Sequence, residues 1–133
     1  MTLDTQAIAD VFERYPGVRA VYLFGSHAAG TARPDSDVDL AVVPRDASVR
    51  ERKLDILADL VRRGIDHVDL VILDTDDLVL QYEAVRYNRV IYQTPDFEPG
   101  TMYSYVIRRY LDFLPYLERQ REAYKRRLLD DQD

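Results

Sequence analysis

The chain has 133 residues, of which 47% are hydrophobic and 32% charged, a size and balance that fit one globular domain. Its net charge of −6 argues against a dedicated nucleic-acid binder, and the absence of cysteine excludes disulfides and thiolate metal centres. No apolar run approaches the roughly 18 residues of a membrane span, and the polar N-terminus lacks the core of a secretory signal, so a cytoplasmic protein with no membrane partner is expected.

Residues 5–15 (TQAIADVFERY) place Ile8, Val11 and Phe12 at helical spacing behind a capping Asp4, and Pro16-Gly17 ends that helix. VRAVYLF, β-branched and aromatic, reads as a buried strand. GSHAAGTA is a turn followed by a short helical segment, and RPDS is a loop. DVDLAVVP reads as a second strand closed by Pro44. Residues 47–63 are expected to be helical, with Leu54, Leu57, Ala58 and Val61 on one face. DHVDLVIL is a third strand. Residues 75–87 form a helix capped by Asp74, RVIYQ is a fourth strand, and TPDFEPG is a linker.

From Thr101 to about Leu129 the pattern is helical again, with Val106, Tyr110, Leu114 and Leu117 along one face. Pro115 should kink or split this helix, because it has no N–H to donate. Tyr103, Tyr105, Tyr110, Tyr116 and Tyr124 crowd the helix beside Arg108, Arg109, Arg119 and Arg121. Such a stripe suits a protein interface, and it equally suits a helix with core on one face and charge on the other. Residues 1–100 hold 18 acidic and 11 basic residues, residues 101–133 hold 6 and 7. Strands interleaved with helices imply an α/β sheet covered by helices.

The chemistry concentrates in FGSHAAGTARPDSDVD, residues 24–39. Asp37 and Asp39 stand two apart on an expected strand, so both carboxylates point to one face, about 6–7 Å apart. They repel each other unless a cation neutralises them, and Mg²⁺ takes such carboxylates together with phosphate oxygens. Gly25 follows a strand where the chain must turn, and Ser26 opens a helical segment whose N–H groups and hydroxyl suit an anion. Asp69 is a lone acid in an otherwise apolar strand. It is placed to join the same metal or to assist deprotonation of an acceptor hydroxyl. Three carboxylates around two cations would stabilise the attacking and leaving oxygens of phosphoryl or nucleotidyl transfer. His27 abuts Ser26 and is either a phosphate or acceptor contact or a surface helix residue. His67 is expected to pack or cap at the third strand, and two histidines so far apart do not suggest zinc.

Gly25-Ser26, ten residues, Asp37-Val38-Asp39 and the later Asp69 resemble the signature of the DNA polymerase β-like nucleotidyltransferases. GTARPDSDVDLAV and the small size resemble the minimal nucleotidyltransferases, the MntA-type antitoxins of HEPN/MNT toxin–antitoxin systems. The resemblance covers residues 18–92 well and the last helix only in general shape. It implies a small mixed sheet flanked by helices in the nucleotidyltransferase fold, with a core over residues 1–100. A long C-terminal helical extension over 101–133 would pack on the core or on a partner. It implies Asp37, Asp39 and Asp69 as Mg²⁺ ligands and catalytic acids. Gly25, Ser26, His27 and Arg33 would hold the triphosphate of ATP. The family reaction is AMP transfer from ATP to a tyrosine hydroxyl of a HEPN-domain ribonuclease toxin, which would be the partner in a hetero-oligomer, with no direct nucleic-acid binding. Where the family pattern GSRARG has arginines, this chain has His27 and Ala29, with Arg33 nearby in the loop. A small-molecule nucleotidyltransferase and an antitoxin that acts by binding alone are the competing functions.

Overall fold

The computed structural model describes residues 3–130, so the last three residues of the expected extension lie outside the described residues. Helix α1 (Thr5–Phe12) is capped by Asp4, whose carboxylate accepts from the Ala7 N–H at 3.0 Å. It buries Ala7, Ile8, Val11 and Phe12. Strand β1 (Val18–Phe24) leads directly into the short helix α2 (Gly25–Ala29), which Gly30 closes in the left-handed region at φ +78°. Strand β2 (Val38–Pro44) follows the loop.

The expected helix over 47–63 is two helices, α3 (Ser48–Glu51) and α4 (Lys53–Arg62), separated by Arg52 at φ −103° and ψ 15°. Of the face expected to be buried, Leu57 packs partly buried against the core, but Leu54 is 80% and Val61 58% exposed. Val49, Ile56 and Leu60 pack on the sheet instead. Ile56 lies roughly 200° round the helix from Leu54, so the two cannot share a face. Strand β3 (Val68–Ile72) comes next, then α5 (Leu78–Val85), capped by Asp77 rather than Asp74. Asp74 is engaged elsewhere, accepting two hydrogen bonds from Arg50 at 2.7 and 2.8 Å. Strand β4 (Val90–Gln93) precedes α6 (Pro99–Asp130).

The four strands lie in the order β3-β2-β1-β4. β1 is antiparallel to both β2 and β4, and β2 is parallel to β3, so the sheet is mixed. Alternation along the strands builds two cores. Val21, Leu23, Val38, Leu40, Val42, Leu70 and Ile72 face α1 and α4. Ala20, Tyr22, Ala41 and Val43 face Ala84 and Val85 of α5, Phe97, and Val106 of α6. TPDFEPG is therefore no loose linker: Phe97 is buried edge-on to Tyr22, and Pro99 opens α6, where a missing N–H costs nothing. Tyr110 stacks on Tyr82 at 3.8 Å between ring centres, which fastens α6 to α5. Val106 and Tyr110 keep the expected inner face, with Leu114 and Leu117 partly covered beyond them. Pro115 does not split α6; it and Leu111 both lie on the exposed side, where water can satisfy the carbonyl that proline leaves free.

Candidate active site

Antiparallel and parallel pairing bring the C-terminal end of β1 and the N-terminal ends of β2, β3 and β4 to one edge of the sheet. Phe24 pairs with Asp39, and Asp39 pairs with Asp69 in parallel register. Residues opposite one another in register share a face, so the two carboxylates stand side by side on neighbouring strands. Leu40 and Leu70, their successors, point together into the opposite core. Asp37 is not on the strand as expected: β2 begins at Val38, whose N–H donates to the His67 carbonyl at 2.9 Å, and Asp37 is the last loop residue. It is exposed, Asp69 is exposed, and Asp39 is half-buried between them.

Burial raises the pKa of the Asp39 carboxyl, and the negative charges of Asp69 and Asp37 raise it further, while His27 opposes them. Such a repulsive group of hard oxygen donors fits a divalent cation. Asp39 and Asp69 are fixed by register, Asp37 by its place beside Asp39. Among the described residues, no three acidic or imidazole side chains already close around a point that would hold a metal ion.

Gly25 is required here on two counts. Its φ is +68°, which disfavours any residue with a Cβ, and a Cβ at this position would overlap the Asp39 carboxylate, lying 2.9 Å from its Cγ. The turn and the central carboxylate are thus in contact. The Ser26 carbonyl accepts from the Gly30 and Thr31 N–H groups, closing the short helix. No hydrogen bond engages the Ser26 hydroxyl among the described residues.

His27 and Arg33 stand beside the loop that joins α2 to β2. Both line a cavity of about 460 Å³ with Asp4, Arg63, Asp66 and His67. His27 Nε2 lies 3.4 Å from the Ser36 carbonyl, and the Arg33 N–H donates to Ser36 Oγ at 2.8 Å. The Arg33 bond is made by its backbone and shapes the loop, while His27 is near enough to Asp39 for its charge to oppose the raised pKa there. His67 neither packs nor caps: its side chain is largely exposed, and its backbone sits at φ +56°. A larger groove, about 720 Å³, runs along α6 past Gly100, Tyr105, Arg108 and Asp112, away from the carboxylates.

One residue at this edge was not among those expected. Arg89 precedes β4; its carbonyl accepts from the Leu23 N–H at 2.9 Å, and its guanidinium reaches the His27 carbonyl at 3.4 Å. In the sequence it is one arginine in a polar stretch, and only the pairing of β4 with β1 brings it to the Gly-Ser turn.

A mixed sheet of this order, with paired carboxylates set against a glycine turn, defines an α/β protein of nucleotidyltransferase type. The chain belongs to the polymerase beta nucleotidyltransferase family, whose pattern matches residues 6–96. Over 82 residues it is 29% identical to the protein adenylyltransferase MntA of Shewanella oneidensis, which is 62% of this chain and 59% of that protein. The match thus spans less than two thirds of that relative's length. The fold is similar to a chain of a toxin–antitoxin crystal structure with AMP-PNP, at TM-score 0.70 and 24% identity, covering 96% of this chain and 99% of that one. It is also similar to a chain of the complex of tri-AMPylated Shewanella oneidensis HEPN toxin with MNT antitoxin, at TM-score 0.60 and 20% identity, covering 95% and 99%.

Proposed function

We propose that this protein is an antitoxin that transfers AMP from ATP to a tyrosine hydroxyl of a HEPN-domain toxin and so silences it. The observation that carries the proposal is the Asp39–Asp69 register held against the Gly25-Ser26 turn. The similarity to a protein adenylyltransferase supports the protein acceptor, and the AMP-PNP complex supports ATP as the donor. The complex with AMPylated HEPN toxin supports the class of partner.

In the reaction, the tyrosine oxygen bonds to the α-phosphorus, the bond from that phosphorus to the pyrophosphate oxygen breaks, and the hydroxyl proton leaves. Mg²⁺ held by Asp37, Asp39 and Asp69 would supply positive charge to the phosphate oxygens. Gly25 offers bare backbone, which lets the phosphates approach the strand end closely. Ser26 offers its hydroxyl as a donor to a phosphate oxygen. Asp69 is the more exposed of the paired acids and lies where an acceptor from outside would meet the nucleotide, so it also suits uptake of the hydroxyl proton. The acceptor comes with the partner.

Co-expression with the candidate toxin and intact-mass analysis tests this. The unaltered chain should add one or more AMP masses to the toxin. Asp39→Asn should abolish the increment, at least a hundredfold, while the two proteins still co-purify. No increment with the unaltered chain, together with full neutralisation by Asp39→Asn, would sink the catalytic proposal.

A further inference from the structure

We propose that Arg89 is the phosphate-binding cation of this site. Helix α2, GSHAA, contains no lysine or arginine, so the segment bordering the carboxylates brings no permanent positive charge of its own. Arg89 brings one from the residue that precedes β4. The Leu23–Arg89 backbone hydrogen bond fixes its Cα beside the end of β1, and its Nη1 lies 3.4 Å from the His27 carbonyl. Asn88, at φ +53°, makes the sharp turn out of α5 that sets this position, and its N–H donates to the Val85 carbonyl at 2.8 Å. The side chain is exposed, and among the described residues no carboxylate pairs with it.

The strand order completes the case. Along the active edge stand Asp69 on β3, then Asp39 on β2, then the Gly25-Ser26 turn that follows β1, then Arg89 just before β4. Strands are spaced about 4.8 Å apart, so the acids and the arginine lie on opposite flanks of the turn. An extended anion lying along the turn would meet carboxylates at one end and a guanidinium at the other. A guanidinium binds phosphate oxygens with two parallel donors, which suits the terminal phosphates that leave as pyrophosphate. Arg33 is placed differently, in the cavity beyond the loop.

This inference rests on the proposed function, and its test separates the two. Binding of Mg²⁺ with AMP-PNP to the full chain would be measured by calorimetry for the unaltered protein, Arg89→Ala, Arg89→Gln and Arg62→Ala. Arg62 is an exposed control on α4 that removes the same charge elsewhere. Both Arg89 variants should bind about tenfold more weakly with an unchanged Tm, and Arg62→Ala should bind like the unaltered chain. Affinity within twofold for the Arg89 variants would overturn the assignment and leave the site as a nucleotide site. Equal weakening in Arg62→Ala would reduce the effect to net charge and also overturn it. No binding by the unaltered chain would overturn the assignment and the nucleotidyltransferase proposal together.

Discussion

At the scale of single residues, Gly25 is the most constrained position in the site. Its positive φ and its contact with Asp39 act in the same direction, so Gly25→Ala should be destabilising by about 1–2 kcal/mol from backbone strain. It should also displace the Asp39 carboxylate. Thermal melts and nucleotide titration of the variant would check both effects; an unchanged Tm with intact binding would show that the turn relaxes freely. Gly25, Asp39 and Asp69 were legible because each carries local information, a glycine where a strand must turn or an acid within an apolar strand. Arg89 was not, because nothing in its neighbourhood distinguishes it from Arg86 until β4 is paired with β1. For His27 and Arg33 the sequence offers only nearness to Ser26. Closeness in sequence to Ser26 does not say which side of the α2–β2 loop a side chain takes.

Among the elements, all four strands could be read from the sequence, and the helices were less certain at their ends and faces. The strands are short, apolar and punctuated. In α4 the face was misread at Leu54 and Val61, though not at Leu57, because their helical spacing is as good as that of Ile56 and Leu60. Only the packing on the sheet decides between them. The consequence is measurable. Leu54→Glu should leave Tm within about 2 °C, whereas Leu60→Ala should cost about 3 kcal/mol, because Leu60 is fully buried. Equilibrium denaturation of the two variants would check it, and a large loss in Leu54→Glu would restore the sequence-based face. The cap of α5 moved from Asp74 to Asp77 because Arg50, 24 residues away, captures Asp74. Capping propensity cannot anticipate that competition.

For the whole molecule, the acidic excess is arranged so that most of its strained charge sits at one place. Asp96, bonded to Arg45 and Thr94, and Asp74, bonded to Arg50, have depressed pKa values. Asp59, which accepts from Tyr15, and Asp10, bonded to Gln6, are depressed as well. A carboxyl whose folded pKa is depressed contributes stability that is present above its unfolded value and lost as pH falls through the folded one. Asp39 runs the other way: its raised pKa makes the charged form a cost to the folded state above the usual carboxylate range. Tm should therefore stay nearly level from pH 7 to pH 5 and fall steeply below about pH 4, where the depressed group dominates. Arg45→Ala should flatten that acid limb in a series of melts, and an unaltered limb would remove the Arg45–Asp96 pair from the account.

The contribution of every strand to one edge has a consequence for chains that are incomplete. The four members of the row are separated by up to 64 residues, from Gly25 to Arg89, so a break inside that stretch parts some of them from the others along the chain. On the role proposed for Arg89, a prematurely terminated product that stops before β4 lacks the flank opposite the carboxylates and should bind nucleotide more weakly.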